Sequence, residues 1–92
     1  MNIEHDQNRQ RYTLSISKNA PEDEQVVLRY RRPDDNTIDF TSTFTPVSLR
    51  GRGLARKIVE HALDKAEADG LKIIGSCWYV DKILKERGYT AN

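Results

Sequence analysis

An α+β fold, a mixed sheet covered by one long helix, is predicted by three features of the sequence. Apolar and polar residues alternate between Tyr12 and Phe40, the period-two signature of half-buried strands. From Leu54 the period changes, and Leu54, Ile58, Val59, Ala62, Leu63 and Ala66 share one stripe of an amphipathic helix. A further short apolar segment comes at residues 71–76. A strand, a helix and another strand must be joined as a crossover, so this last strand should run parallel to the one before the helix.

Each element has its own signal. Tyr12, Leu14 and Ile16 alternate with Thr13, Ser15 and Ser17 as a first strand, and residues 18–24 form a polar turn broken by Pro21. Val26, Leu28 and Tyr30 repeat the alternation. Arg32-Pro33-Asp34-Asp35-Asn36 reads as a tight turn, because proline presets φ and the Asp and Asn side chains bond their own backbone. Ile38, Phe40 and Phe44 mark a third strand that ends at Pro46, which cannot donate a ladder hydrogen bond. These three strands make an antiparallel meander. Gly70 stops the long helix by taking the left-handed conformation. A short second helix spans residues 79–87, with Val80, Ile83 and Leu84 inward and Gly88-Tyr89 as its cap. His5 sits in what reads as a frayed terminus and is assigned no role.

Size and composition narrow the function. A chain of 92 residues has room for a single core, so residues 1–92 are expected to form one domain. No run of about 18 apolar residues exists to span a bilayer, and the start lacks the basic and apolar regions of a secretory signal. A cytoplasmic protein is expected. One cysteine permits neither an internal disulfide nor a thiolate metal cage, and no metal site is expected. Charge is balanced in total but not in position. Residues 1–46 hold six Lys/Arg against eight Asp/Glu, whereas residues 47–92 hold nine against six.

Arg50, Arg52, Arg56 and Lys57 lie together where the long helix begins, with no carboxylate among them. A helix N-terminus already carries unpaired N–H groups and about half a positive charge, so cations there are unfavourable. They become favourable if an anion occupies the turn, where N–H groups and guanidinium forks reach the same oxygens. Gly51 and Gly53 let the main chain come close to it. Two other anion motifs fail: a dinucleotide fingerprint needs glycine where Arg56 stands, and Walker A needs Gly-Lys-Ser/Thr after the second glycine.

Arg50-x-x-Gly53-x-Ala55 resembles the Arg/Gln-x-x-Gly-x-Gly/Ala signature of the GNAT superfamily of acetyl-CoA-dependent N-acetyltransferases. Thr43-x-Thr45-Pro46 before the turn fits the same family context; Gly70-Leu71-Lys72-Ile73-Ile74, Cys77 and Tyr79-Val80 are similar to the small yjdJ-like members, and the closing Leu84-Lys85-Glu86-Arg87-Gly88-Tyr89 resembles the aromatic-x-x-x-Gly-Phe ending of larger members. The resemblance implies a minimal GNAT-like fold. It places the pyrophosphate of CoA on the amides of Arg50, Gly51, Arg52, Gly53, Leu54, Ala55 and Arg56. It lays the pantetheine arm along Thr43 and Thr45, where parallel strands splay. The chain departs from the family at Ser42, where a histidine is common, at Thr45 for valine, and at Trp78, where proline follows the cysteine. Leu84 stands at the position of the thiolate-protonating tyrosine. Only residues 90–92 come after Tyr89, so the strands that build an acceptor pocket in larger members are not expected.

Acetyl transfer needs a polarised thioester carbonyl and a stabilised leaving thiolate. Strand N–H groups near Phe44 or Thr45 are candidate oxyanion donors. Cys77 is the candidate catalytic residue, to protonate the thiolate or accept the acetyl group. The alternative for Cys77 is a small buried hydrophobe. His61 reads as a solvated residue, and Trp78 as a core anchor with a lid as the other option. The expected partners are acetyl-CoA and an amine acceptor, either a small molecule or a protein lysine or N-terminus. A non-catalytic CoA-binding module is the alternative. A sequence pI near 7.9 argues against a nucleic-acid partner, whose binding domains more often exceed about 9.

Overall fold

A computed structural model describes residues 1–89 of the chain. Residues 90–92, and with them the expectation that no acceptor-pocket strands lie beyond Tyr89, are outside the described residues. The alternating segments form strands, and the helical stripe forms a helix over nearly the expected range. Five strands lie side by side in sequence order: β1 (Asn2–Asp6), β2 (Arg11–Ser15), β3 (Val26–Asp34), β4 (Thr37–Phe44) and β5 (Lys72–Gly75). β1 to β4 are mutually antiparallel and β5 is parallel to β4. Helix α1 (Leu54–Ala68) makes the crossover and α2 (Trp78–Glu86) comes after β5. No helix among the described residues is long and apolar enough to cross a membrane.

The antiparallel part has four strands rather than the expected three. The segment read as frayed is β1, an edge strand whose Ile3 and His5 pair with Leu14 and Tyr12. Its other residues are polar, so its alternation offers too few apolar positions to reveal it. β2 also ends sooner than expected, at Ser15, and Ile16 is 43% exposed rather than inward.

Both helices pack on one face of the sheet. Tyr12, Leu14, Leu28, Tyr30, Phe40 and Ile73 from the strands meet Ile58, Val59 and Leu63 of α1 and Ile83 and Leu84 of α2 in one core. Each fully buried aliphatic or aromatic side chain contributes about 1.5–3 kcal/mol from transfer out of water. Gly75 sets how closely α2 approaches the sheet. A Cβ there would lie 2.9 Å from the Asp81 amide nitrogen, so the helix backbone rests where a side chain would otherwise be. The two helices are tied on their outer sides: Arg87 pairs with Asp64 at 2.9 Å and Glu67 at 2.7 Å, and Arg56 pairs with Glu86.

The α2 terminus explains the closing motif. The N–H of Gly88 bonds the Lys85 carbonyl, and that of Tyr89 reaches the Leu84 carbonyl at 2.9 Å, the paired bonds of a Schellman cap. The Tyr89 hydroxyl in turn accepts a hydrogen bond from the Ile73 amide at 2.8 Å. The cap therefore also supports the outer edge of β5.

Candidate functional site

β4 contains an irregularity that re-aims its second half. Arg29 pairs with Ser42 but Tyr30 pairs with Phe40, so Thr41 is one residue too many on β4. Such a bulge shifts the alternation by one. Ile38 and Phe40 face the helices before it, whereas Thr43 takes that face after it. Phe44 is thereby sent to the opposite face, 53% exposed, and does not continue the apolar row as expected.

β4 and β5 separate at the same place. Their pairing ends at Phe40 and Gly75, with one further bond from the Cys77 amide to the Phe40 carbonyl at 3.0 Å. Beyond it, the second half of β4 has no neighbour on its β5 side among the described residues. The splay expected between parallel strands is present. A cleft of about 430 Å³ opens there, lined by residues of β4, the turn before α1, and the start of α2.

This cleft gathers most of the predicted residues: Thr43, Phe44, Thr45, Arg50, Gly51, Gly53, Leu54, Ala55 and Cys77 all line it. At its inner end Thr43 Oγ1 lies 3.5 Å from Cys77 Sγ. Cys77 is buried and occupies the N-cap position of α2 without a side-chain capping bond. At the outer rim Gly53 caps α1 with φ of 72°, and Gly51 has φ of 79°. Neither would crowd a Cβ, so glycine is required here by backbone conformation alone. Among the described residues no side-chain bond caps the start of α1, and its first turn has no acidic residue. Its leading N–H groups are thus directed toward the rim. Arg50 braces the turn by donating from Nε to the Thr45 carbonyl at 3.0 Å.

The four cations do not converge. Arg52 and Arg56 do not line the cleft. Arg56 turns to Glu60 at 3.2 Å and to Glu86. These carboxylates raise its pKa, with the Glu86 hydrogen bond as the main cause. Lys57 lies instead near Met1, Glu60 and His61. A run in sequence spreads around a helix, and here it meets acidic partners four residues on and on α2.

Trp78 is not a core anchor. It is 75% exposed at the cleft mouth, edge-on to Tyr79 at 5.6 Å. As the first residue of α2 it points away from the stripe formed by Val80, Ile83 and Leu84. Leu49 and Tyr79 also line the cleft. The sequence gives neither a role in the site, although the Tyr79-Val80 pair stands next to Cys77. Leu84 is buried in the core and has no proton to give.

A sequence model of the GCN5-related N-acetyl-transferase family matches residues 11–91. The chain is 37% identical to Protein NATD1 of Mus musculus over 84 residues, covering 91% of this chain and 74% of that one. It is 34% identical to Protein NATD1 of Homo sapiens, again over 84 residues, with 91% and 72% covered. A GCN5-like protein from Staphylococcus aureus, solved by NMR in solution, superposes with a TM-score of 0.71 at 22% identity, over 99% of this chain and 89% of that one.

Proposed function

Because the chain belongs to the GCN5-related N-acetyltransferase family, we propose that it is an acetyl-CoA-dependent N-acetyltransferase. On this reading it holds the cofactor along residues 43–45 and the turn at residues 50–56, and passes acetyl to an amine. The acceptor is a small molecule or a protein lysine or N-terminus. One observation carries the reading: Thr43 and Cys77 meet at the inner end of a cleft whose rim is an uncapped, glycine-lined helix start.

The residues present fit the cofactor. The left-handed Gly51 and Gly53 leave open space beside the first-turn amides of α1, room that a diphosphate can enter. The unpaired edge of β4 offers main-chain groups to an amide-bearing arm, and Phe44, Leu54, Trp78 and Tyr79 supply apolar walls. When bound, acetyl-CoA supplies an activated acetyl thioester. The chain's part is to position and to handle charge. The amide of residue 44 or 45 is the candidate donor to an oxyanion. Cys77 Sγ, 3.5 Å from Thr43 Oγ1, is the group placed to manage a proton at the inner cleft.

A second reading, a non-catalytic CoA-binding module, is favoured by Leu84, which fills the core where larger relatives of the family place a proton-donating tyrosine. Titration with acetyl-CoA followed by NMR, together with turnover on a panel of amines, separates the two. Shifts at residues 43–55 with acetyl transfer support the enzyme, and shifts without transfer support the module. If millimolar acetyl-CoA leaves those amides unmoved, both readings fail.

A further inference from the structure

Among the described residues, one face of the sheet carries no α-helix. From the register, Thr13, Val27, Arg29, Ser42 and Phe44 share this face, since their neighbours Tyr12, Leu28 and Thr43 face the core side. The face contains an electrostatic conflict. Arg11 on β2 and Arg29 on β3 are directly opposite each other, an arrangement that destabilises a strand pair unless the charge is compensated. Arg11 is compensated: it is buried, and its Nη1 donates to Glu22 at 2.9 Å. Arg29 is not. Among the described residues no carboxylate lies within ion-pairing distance of it. Glu22, the acid whose ionisation it favours, is taken by Arg11 and Arg9. Of the other acids the register puts on this face, Asp6 pairs with Arg9, Glu4 accepts from the Asn2 amide, and Asp39 is taken by Arg31 at 3.1 Å and by the Ser76 hydroxyl at 2.9 Å and amide at 3.2 Å.

The position of Arg29 gives this surplus a use. Its partner in the register is Ser42, the residue before Thr43, so the guanidinium sits one strand from the cleft. On the helix side the cleft is walled by the turn before α1 and by the start of α2, the walls assigned above to the cofactor. The same cleft also reaches the bare face, where Phe44 lines it. Arg29 lies on that face across β4 from the splay, with Arg31 beside it still 67% exposed.

We infer that the acceptor is a small amine that also bears an anionic group, a carboxylate or a phosphate, which Arg29 and the Ser42 hydroxyl hold on the bare face of the sheet. This inference rests on the acetyltransferase reading and names its substrate class. The amine and the anion should be separated by about 5–10 Å, one to two strand spacings.

The test uses matched pairs: γ-aminobutyrate against butylamine, and aminoethyl phosphate against ethanolamine. Each is titrated into the full chain with and without acetyl-CoA, reading the Arg29 side-chain N–H and the Ser42 amide by NMR, and each is assayed as acceptor. The anionic member of a pair is expected to shift both signals and to exceed its neutral partner about ten- to hundredfold in kcat/KM or in affinity, the size of a charge-assisted contact. The stronger of the two anionic arms identifies carboxylate or phosphate. Arg29→Gln, a change at an exposed position, should abolish the preference and leave acetyl-CoA affinity unchanged. Anionic and neutral amines acting alike, or a preference that survives Arg29→Gln, overturns the inference. So does the absence of shifts at Arg29 and Ser42 with either anionic amine. Failure of acetyl-CoA to move residues 43–55 instead marks failure of the cofactor reading, a separate signal in the same spectra.

Discussion

Thr43 Oγ1 and Cys77 Sγ lie 3.5 Å apart across the gap where β4 and β5 part, so a hydroxyl and a thiol from segments distant in sequence face one cavity. If Cys77 manages the proton of the departing thiolate, Cys77→Ala should lower kcat by about 10²–10⁴-fold, the usual weight of a positioned acid or base. Acetyl-CoA affinity should change little, and Thr43→Val should lower kcat less, because it removes only the orienting partner. Steady-state kinetics with a parallel binding isotherm checks this. An unaltered kcat in Cys77→Ala removes the thiol from the chemistry.

Gly75 is sensitive for a different reason. A methyl group there would stand 2.9 Å from the Asp81 nitrogen and 3.1 Å from the Leu84 side chain, so α2 would have to move off the sheet. Gly75→Ala should destabilise the fold by about 1–3 kcal/mol, the range for overpacking a close contact. Urea unfolding gives the number directly. Because Cys77 caps the same helix, the variant should also widen the contact with Thr43 and reduce turnover.

Gly53 separates backbone strain from crowding. Its φ of 72° lies in the left-handed region, yet a Cβ would meet nothing within 4 Å. Gly53→Ala should therefore cost about 1–2 kcal/mol purely from conformation. Gly53→Asn should cost less, since asparagine tolerates that region. Acetyl-CoA affinity should fall in the same order if the turn must hold this shape to present its amides. Thermal unfolding and calorimetric titration of the two variants check it, and equal stability of Ala and Asn at this position would argue against the strain account.

The exposed Trp78 offers the reverse case. With the indole 75% in solvent, Trp78→Ala should change unfolding free energy by no more than about 0.5 kcal/mol. Any loss of cofactor or acceptor binding then belongs to the cleft mouth and not to the fold. A large fall in melting temperature would show that the ring contributes to packing after all.

Periodicity makes the crossover legible because α1 and its neighbouring strands bury whole stripes: Ile58, Val59 and Leu63 on the helix, Leu28 and Phe40 on the strands. The cleft residues are legible through Gly51, Gly53 and Cys77, whose positions depend on where β4 ends and α1 begins. Alternation misleads at Phe44 because the extra Thr41 shifts it by one, and a bulge has no fixed sequence signature. Trp78 misleads because the helix begins one residue earlier than the hydrophobic stripe requires. Arg56 and Lys57 read as one cluster with Arg50 because linear proximity hides the angle between successive helical positions. The partners of Arg56, Glu60 and Glu86, come from the next turn and from α2. β1 escapes a periodicity reading because an edge strand needs only one apolar face, and Ile3 and His5 are all it presents to the core side.

His5 ties that edge strand down, and its titration should be visible in stability. Its ring stacks on Tyr12 at 4.0 Å and its Nε2 lies 2.6 Å from the Tyr30 hydroxyl. Burial lowers its pKa below the ordinary 6.5, with Lys65 and His61 adding to the effect and Asp6 and Asp69 opposing it. A histidine whose pKa is lower when folded binds protons more readily in the unfolded chain. Stability should therefore be fully present above about pH 6.5 and be lost progressively as pH falls through the folded value. Glu22 and Glu86, held low by hydrogen bonds from Arg11 and Arg56, act in a separate window beginning below their ordinary 4.5. Urea unfolding between about pH 5 and 7.5, repeated on His5→Gln, isolates the first effect. The variant should be less stable at the upper end of that range, where the stack and the Tyr30 contact are intact in the parent chain, and flatter in its dependence on pH. A slope unchanged by the substitution would assign the dependence to another group and leave β1 held by its ladder alone.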